Sequence, residues 1–278
     1  MITDLEAYEI TYLPLHIARP RIQNIFPKGV KGAIYRRLPN GLMRKHIKNV
    51  LFNNDRVFNR IVLSEENILG TSINLLSKEP YQKLNRNISW VKSISKDFDL
   101  RIFLSIRCFD QVLPGAYVTD LRFRPREAII AKNKLLLELE KGVLPSWVGL
   151  VERLQNAFEN VPIKIWTQED YEYHSGDIVR EFLGVNVENI PKIIPPLETK
   201  TPSFSAVVEV EKIISSTGKQ PLNWTSLCDE IYTSMPCSNK LDKYTFLNGN
   251  MIADLRKKYD DDLNEIKRNW AGALVQFV

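Results

Sequence analysis

Within twenty-four residues, Leu100–Phe123, the chain changes its period. In "LRIFLSIRCFDQVLPGAYVTDLRF", Leu100, Ile102, Leu104 and Ile106 alternate with Arg101, Phe103 and Ser105, the two-residue repeat of a strand. Val112, Leu113, Ala116 and Tyr117 then recur at helical spacing. Both faces of the strand carry apolar groups, as in a central strand of a covered sheet. A covered strand that passes straight into a helix predicts an α/β fold with a mainly parallel sheet. Pro114 is tolerable only if it falls in the helix's first turn. Arg107 stands where one period gives way to the other.

The rest of the chain repeats this alternation. "RIVLSEENILG", Arg60 to Gly70, predicts a short buried strand at Ile61–Leu63 that runs into an acidic turn. Residues 72–96 are mixed and helical in part. A long helix is expected from Arg126 to Lys141. Trp147, Leu150, Val151, Leu154 and Phe158 then form one apolar stripe, with Ser146 as its N-cap. Ile163–Trp166 predicts another strand, and "HSGDIVREFLGV" a helix stopped by Gly184. "MIADLRKKYDDDLNEI" places Ile252, Leu255, Tyr259, Leu263 and Ile266 on one stripe of a terminal helix. Pro20, Pro27 and Pro39 predict an irregular start, and "EITYLPL", Glu9–Leu15, is its one strand candidate, better suited to an edge because of Pro14. The expected organisation is one domain over 1–278. It comprises an irregular basic segment at 1–58, an α/β body at 59–188, and a proline-rich link with C-terminal helices at 189–278.

Composition narrows the function. Cys108, Cys228 and Cys237 are odd in number and form no CxxC pair, which argues against a disulfide framework or a zinc site. His16, His46 and His174 lie far apart, so no metal site is expected. No run of about 18 apolar residues predicts a membrane span. The start, "MITDLEAYEI", has acids and no apolar core of a signal peptide, so a cytoplasmic protein is expected. The net charge is +5, and its excess is uneven. Nine Lys or Arg (Lys28, Lys31, Arg36, Arg37, Arg44, Lys45, Lys48, Arg56 and Arg60) face one acid, Asp55, between residues 28 and 60. Such a stretch either attracts anions or is a solvated helix face. No helix-turn-helix or aromatic-basic signature points to nucleic acid.

Ligands of open α/β sheets bind at the carboxyl ends of the strands. Three such ends matter here: Ser64-Glu65-Glu66-Asn67, Arg107, and Gln168-Glu169-Asp170. Arg107, with the free N–H groups of a following helix, could hold an anion. Alternatively it pairs with a strand-end acid such as Glu169 and braces the sheet. Glu65 and Glu66 could supply a general base, or Ser64 or Asn67 could cap the next helix with these acids in its first turn. "SSTGKQP" lacks the earlier glycine and the Ser or Thr of a phosphate loop. GxGxxG and GxSxG motifs are absent. Cys108 has no histidine partner for nucleophilic catalysis.

The segments "RIVLSEENILG", "LSIRCFDQVLPGAYVTDLRF", "LPSWVGLVERL", "IKIWTQEDYEYH", "TKTPSFSAVVEVEKI" and "IADLRKKYDDDLNEI" together resemble, in order, a bacterial sulfotransferase-like family. The resemblance covers roughly residues 60 to 266. It implies a three-layer α/β sandwich of the P-loop nucleoside-triphosphate-hydrolase fold. It also implies transfer of a sulfuryl group from 3′-phosphoadenosine 5′-phosphosulfate to a hydroxyl acceptor, commonly a glycan. Under it, Arg107 resembles the arginine that binds the donor's 3′-phosphate. Gly115 stands where the family has a companion serine. Glu66, or its neighbour Glu65, resembles the base that takes the acceptor's proton, and Lys200 a basic position before the Pro-Ser segment. The family's first strand and its PKTGTT-like loop find no counterpart: Pro27-Lys28-Gly29 is not followed by Thr-Thr. The sequence therefore reads as starting after that strand. Either a sulfotransferase or a non-catalytic anion- or glycan-binding derivative of the same fold is expected.

Overall fold

The computed structural model describes residues 5, 8–13, 15–25, 40–52, 60–94, 98–185, 201–217 and 221–275. Lys28, Lys31, Arg36, Arg37, Arg56, Lys200, Pro14, Pro27, Pro39 and most of the proline-rich link lie outside the described residues, as does the side chain of Arg44.

The chain alternates strands and helices. β1 (Ile10–Leu13) and β2 (Arg60–Leu63) pair in parallel, with Ile10 opposite Arg60. β3 (Ile102–Ile106) and β4 (Ile163–Thr167) form a second parallel pair, with Ile102 opposite Ile163. The helices are α1 (Leu15–Ile25), α2 (Asn40–Phe52), α3 (Leu84–Asn87), α4 (Ser89–Ile94), α5 (Phe109–Phe123), α6 (Pro125–Glu140), α7 (Val148–Ala157), α8 (Gln168–Leu183), α9 (Phe204–Thr217), α10 (Trp224–Ser234) and α11 (Gly249–Asn269). The architecture is mixed α/β with short parallel two-stranded sheets.

Several boundaries follow from local chemistry. Pro125 opens α6 in its first turn, where the missing N–H would have no acceptor within the helix. Thr167 and Asp170 close a reciprocal capping box at the start of α8. Gly184 ends α8 at φ +66°, a left-handed backbone that favours glycine, and the Arg60 guanidinium packs where a Cβ would stand. That guanidinium donates to the Leu183 carbonyl and ties β2 to α8.

The main core joins β3, β4 and helices α5, α6, α7, α9, α10 and α11. The expected stripe of Trp147, Leu150, Val151, Leu154 and Phe158 is buried throughout. A smaller cluster packs Ile25, Met43, Ile47, Leu51 and Trp90. A third joins Ile10 and Val62 to Leu183, and α8 thereby touches both strand pairs, since Phe182 meets Phe103 edge-on at 5.1 Å.

Five local expectations need correction. β3 pairs with β4 alone among the described residues, and Ser105 is exposed, so β3 is not covered like a central strand. Pro114 falls in the second turn of α5 and not the first; the helix continues without the bond to the Asp110 carbonyl. Pro20 does not break its segment, because α1 runs through it. The N-cap of α7 falls at Trp147 and not at Ser146, although the Ser146 hydroxyl accepts the Val148 N–H; that hydroxyl also donates to Asp262. The buried stripe of α11 is Met251, Leu255, Tyr259, Asp262 and Ile266, with Ile252 and Leu263 at its margins.

Candidate functional site

Arg107 sits directly beyond β3, half-buried, with Cys108 as the only residue between it and α5. Its guanidinium donates to the Gln111 side-chain oxygen one turn into the helix. Its carbonyl accepts the Trp147 indole N–H at 2.8 Å. No side chain caps the start of α5. Gly115 is exposed one turn beyond Gln111, and a Cβ there would meet no atom within 4 Å. Gln111 and Gly115 thus follow one flank of α5 at four-residue spacing, and the Arg107 guanidinium reaches that flank at Gln111. The sheet-bracing alternative does not hold: Glu169 accepts from the Tyr259 hydroxyl at 3.2 Å, and Asp170 serves the α8 cap. Among the described residues no ion pair involves Arg107.

Burial pushes the Cys108 pKa up to about 12, so this residue stays a thiol beside Arg107. Its S–H points to the Leu255 carbonyl, 3.8 Å away. Asp110, in the first turn of α5, is buried, and Arg256 of α11 donates to it at 2.8 Å. Its other oxygen is buried with no partner among the described residues. α11 therefore crosses the carboxyl ends of both β3 and β4, through Leu255, Arg256 and Tyr259.

The acidic turn after β2 is organised around a residue that sequence reading passed over, Arg19 of α1. Arg19 donates to Glu65 through Nε at 3.0 Å and through Nη2 at 3.2 Å, and Nη2 also reaches Glu66 at 3.2 Å. Glu65, and neither Ser64 nor Asn67, caps the following 3₁₀ turn, Glu66–Ile68, by accepting the Asn67 N–H at 2.9 Å. Burial alone would raise the Glu65 pKa, but hydrogen bonds from Arg19 and Asn67 outweigh it and hold the carboxyl below its ordinary range. The Arg19 pKa is raised in turn, chiefly by its hydrogen bond to Glu65. The Glu65 side chain is 1% exposed and that of Glu66 is 81% exposed, so Glu66 is the carboxylate an outside molecule can reach.

The structure therefore places the named residues in two groups. Glu65 and Glu66 share Arg19, whereas Arg107 and Gly115 share the flank of α5. Ile68 and Leu69, just after the acidic turn, pack on the core that carries β3, and the 3₁₀ turn Ser72–Leu75 packs on α5. No hydrogen bond or ion pair joins the two groups among the described residues. Of the nine cations between residues 28 and 60, Arg60 is committed to Leu183, and Lys48 lies over the Phe98 ring at 5.2 Å. Among the described residues no cluster of three or more His, Cys, Asp or Glu could hold a metal ion, and no helix is long and apolar enough to cross a membrane.

Comparison with family models, curated proteins and solved structures finds no match to this chain.

Proposed function

We propose that this chain is a sulfotransferase-like protein that holds the 3′-phosphate of 3′-phosphoadenosine 5′-phosphosulfate with Arg107 and directs its sulfuryl group to a glycan hydroxyl. The observation that carries this reading is Arg107 itself. It is a half-buried guanidinium at the carboxyl end of a parallel strand and before an uncapped helix, with no carboxylate partner among the described residues. A guanidinium fork beside the start of a helix, with the positive end of the helix dipole, suits a phosphate dianion. The same reading treats the two parallel pairs as halves of one sheet in a three-layer sandwich of the P-loop hydrolase type. The contact of α8 with both pairs supports that arrangement.

In the transfer, the acceptor oxygen forms the new bond to sulfur. The bond between sulfur and the 5′-phosphate oxygen breaks, and adenosine 3′,5′-bisphosphate leaves. The hydroxyl proton passes to a carboxylate. Glu66 is suited to that step by its exposure, whereas Glu65 is already saturated with donors. Isothermal titration with adenosine 3′,5′-bisphosphate tests the reading. Binding that Arg107→Ala weakens at least about 30-fold, as expected for a charge-assisted contact, supports it. Absence of heat with the unaltered chain at millimolar nucleotide overturns it.

A further inference from the structure

We infer that Trp147 is a positioning residue for Arg107, set in place by the buried carboxylate of Asp262; this rests on the reading of Arg107 as the phosphate ligand. β3 ends at Ile106 and α5 begins at Phe109, so Arg107 and Cys108 form a two-residue link. The backbone of that link decides where the guanidinium goes. A side chain as long as arginine turns a small rotation of its peptide plane into a displacement near 1 Å at the tip, a scale that matters to ligand binding.

The indole of Trp147 grips the link at two points. Its N–H donates to the Arg107 carbonyl at 2.8 Å. Its ring stacks on Phe109, the first residue of α5, with centroids 4.4 Å apart and planes 15° from parallel. A phenylalanine could stack but could not donate. Without the donor, the Arg107 carbonyl would lose its partner in a largely buried place.

Trp147 is itself held. Its backbone N–H donates to Asp262 Oδ2 at 2.7 Å. The other oxygen, Oδ1, accepts from the Ser146 hydroxyl at 2.8 Å and from Lys258 Nζ at 2.6 Å. Asp262 is fully buried, and a buried carboxylate that collects three donors is fixed in orientation. The path from α11 to the phosphate ligand is therefore continuous: Asp262 sets Trp147, and Trp147 sets the Arg107 backbone.

The test removes the indole N–H and little else. Trp147 is replaced by 3-benzothienylalanine, an isostere with sulfur in place of N–H, and by ordinary mutagenesis as Trp147→Phe. Affinities are measured for adenosine 3′,5′-bisphosphate and for adenosine 5′-monophosphate, which lacks the 3′-phosphate. Positioning predicts that the isostere weakens the bisphosphate about fivefold to tenfold and leaves the monophosphate unchanged. Equal weakening of both nucleotides, or no change in either, overturns it. The Arg107 Nε–H resonance gives a second readout that needs no nucleotide. It should be dispersed in the unaltered chain and should move to the averaged position of free arginine in both variants. If the unaltered chain binds no bisphosphate, the functional reading fails, and the resonance alone decides the positioning: an unmoved signal overturns it.

Discussion

Gly115→Ser should increase affinity for adenosine 3′,5′-bisphosphate while making the protein more stable. Gly115 lies inside α5, one turn beyond Gln111, and an added Cβ meets nothing within 4 Å. The backbone there is helical, so nothing in the fold requires glycine. Serine in a helix interior is favoured over glycine by about 0.5 kcal/mol, which is the expected gain in stability. The new hydroxyl stands on the flank that carries Arg107 and Gln111. A hydrogen bond to a charged phosphate is worth about 1.5–3 kcal/mol, or roughly tenfold to a hundredfold in affinity. Thr119 already donates to the Gly115 carbonyl at 2.9 Å, a bond the substitution leaves alone. Titration against the bisphosphate and against adenosine 5′-monophosphate separates the terms, with Gly115→Ala as the control that stabilises the helix without a hydroxyl. A serine variant that is more stable but binds the bisphosphate no better than the alanine variant would refute the assignment of this flank to the 3′-phosphate.

Two further outcomes concern the carboxylates. Arg19→Ala should destabilise the protein by about 2–3 kcal/mol near neutral pH, a value reduced from that of a fully buried pair because Arg19 is 36% exposed. The Glu65 pKa is depressed on folding from its ordinary 4.5, so its contribution is present above that value and is lost as pH falls through the depressed one. Urea denaturation of both proteins should therefore give curves that converge in acid; a constant gap at all pH values would exclude the ion pair as the cause. Asp262→Ala should cost about 3 kcal/mol or more, because it strands the Ser146, Trp147 and Lys258 donors, and it should lower the midpoint of chemical unfolding accordingly.

What could be read in the sequence was whatever depended on neighbours along the chain. β3, α6, the stripe of α7 and the Gly184 stop rest on period, proline placement and left-handed backbone, all local properties. The position of Arg107 at a strand end followed from the same change of period. The partners of each site residue did not, because they come from far away. Arg19 is 46 residues from Glu65, and Asp262 is 115 residues from Trp147. Nothing in the run of three acids at Asp260–Asp262 announces a buried residue, yet Leu255, Tyr259 and Ile266 carry Asp262 inward with them. The one available signal was its spacing, three after Tyr259 and four before Ile266, which matches the apolar stripe better than Leu263 does. Pro20 and Pro114 misled for the opposite reason: each helix keeps its apolar packing and tolerates one lost backbone bond.

The crossing of α11 over the strand ends also bears on the order in which the molecule matures. Leu255 meets Cys108 across 147 positions, Arg256 meets Asp110 across 146, and Tyr259 meets Glu169 across 90. A nascent chain can pair β3 with β4 well before these partners have left the ribosome, but the turn bearing Arg107 gains its frame only after Asp262 has emerged. Contacts of such separation close slowly and late. Assembly of the turn that bears Arg107 is then among the last events of folding, and a chain interrupted anywhere before α11 would carry Arg107 without the scaffold that aims it.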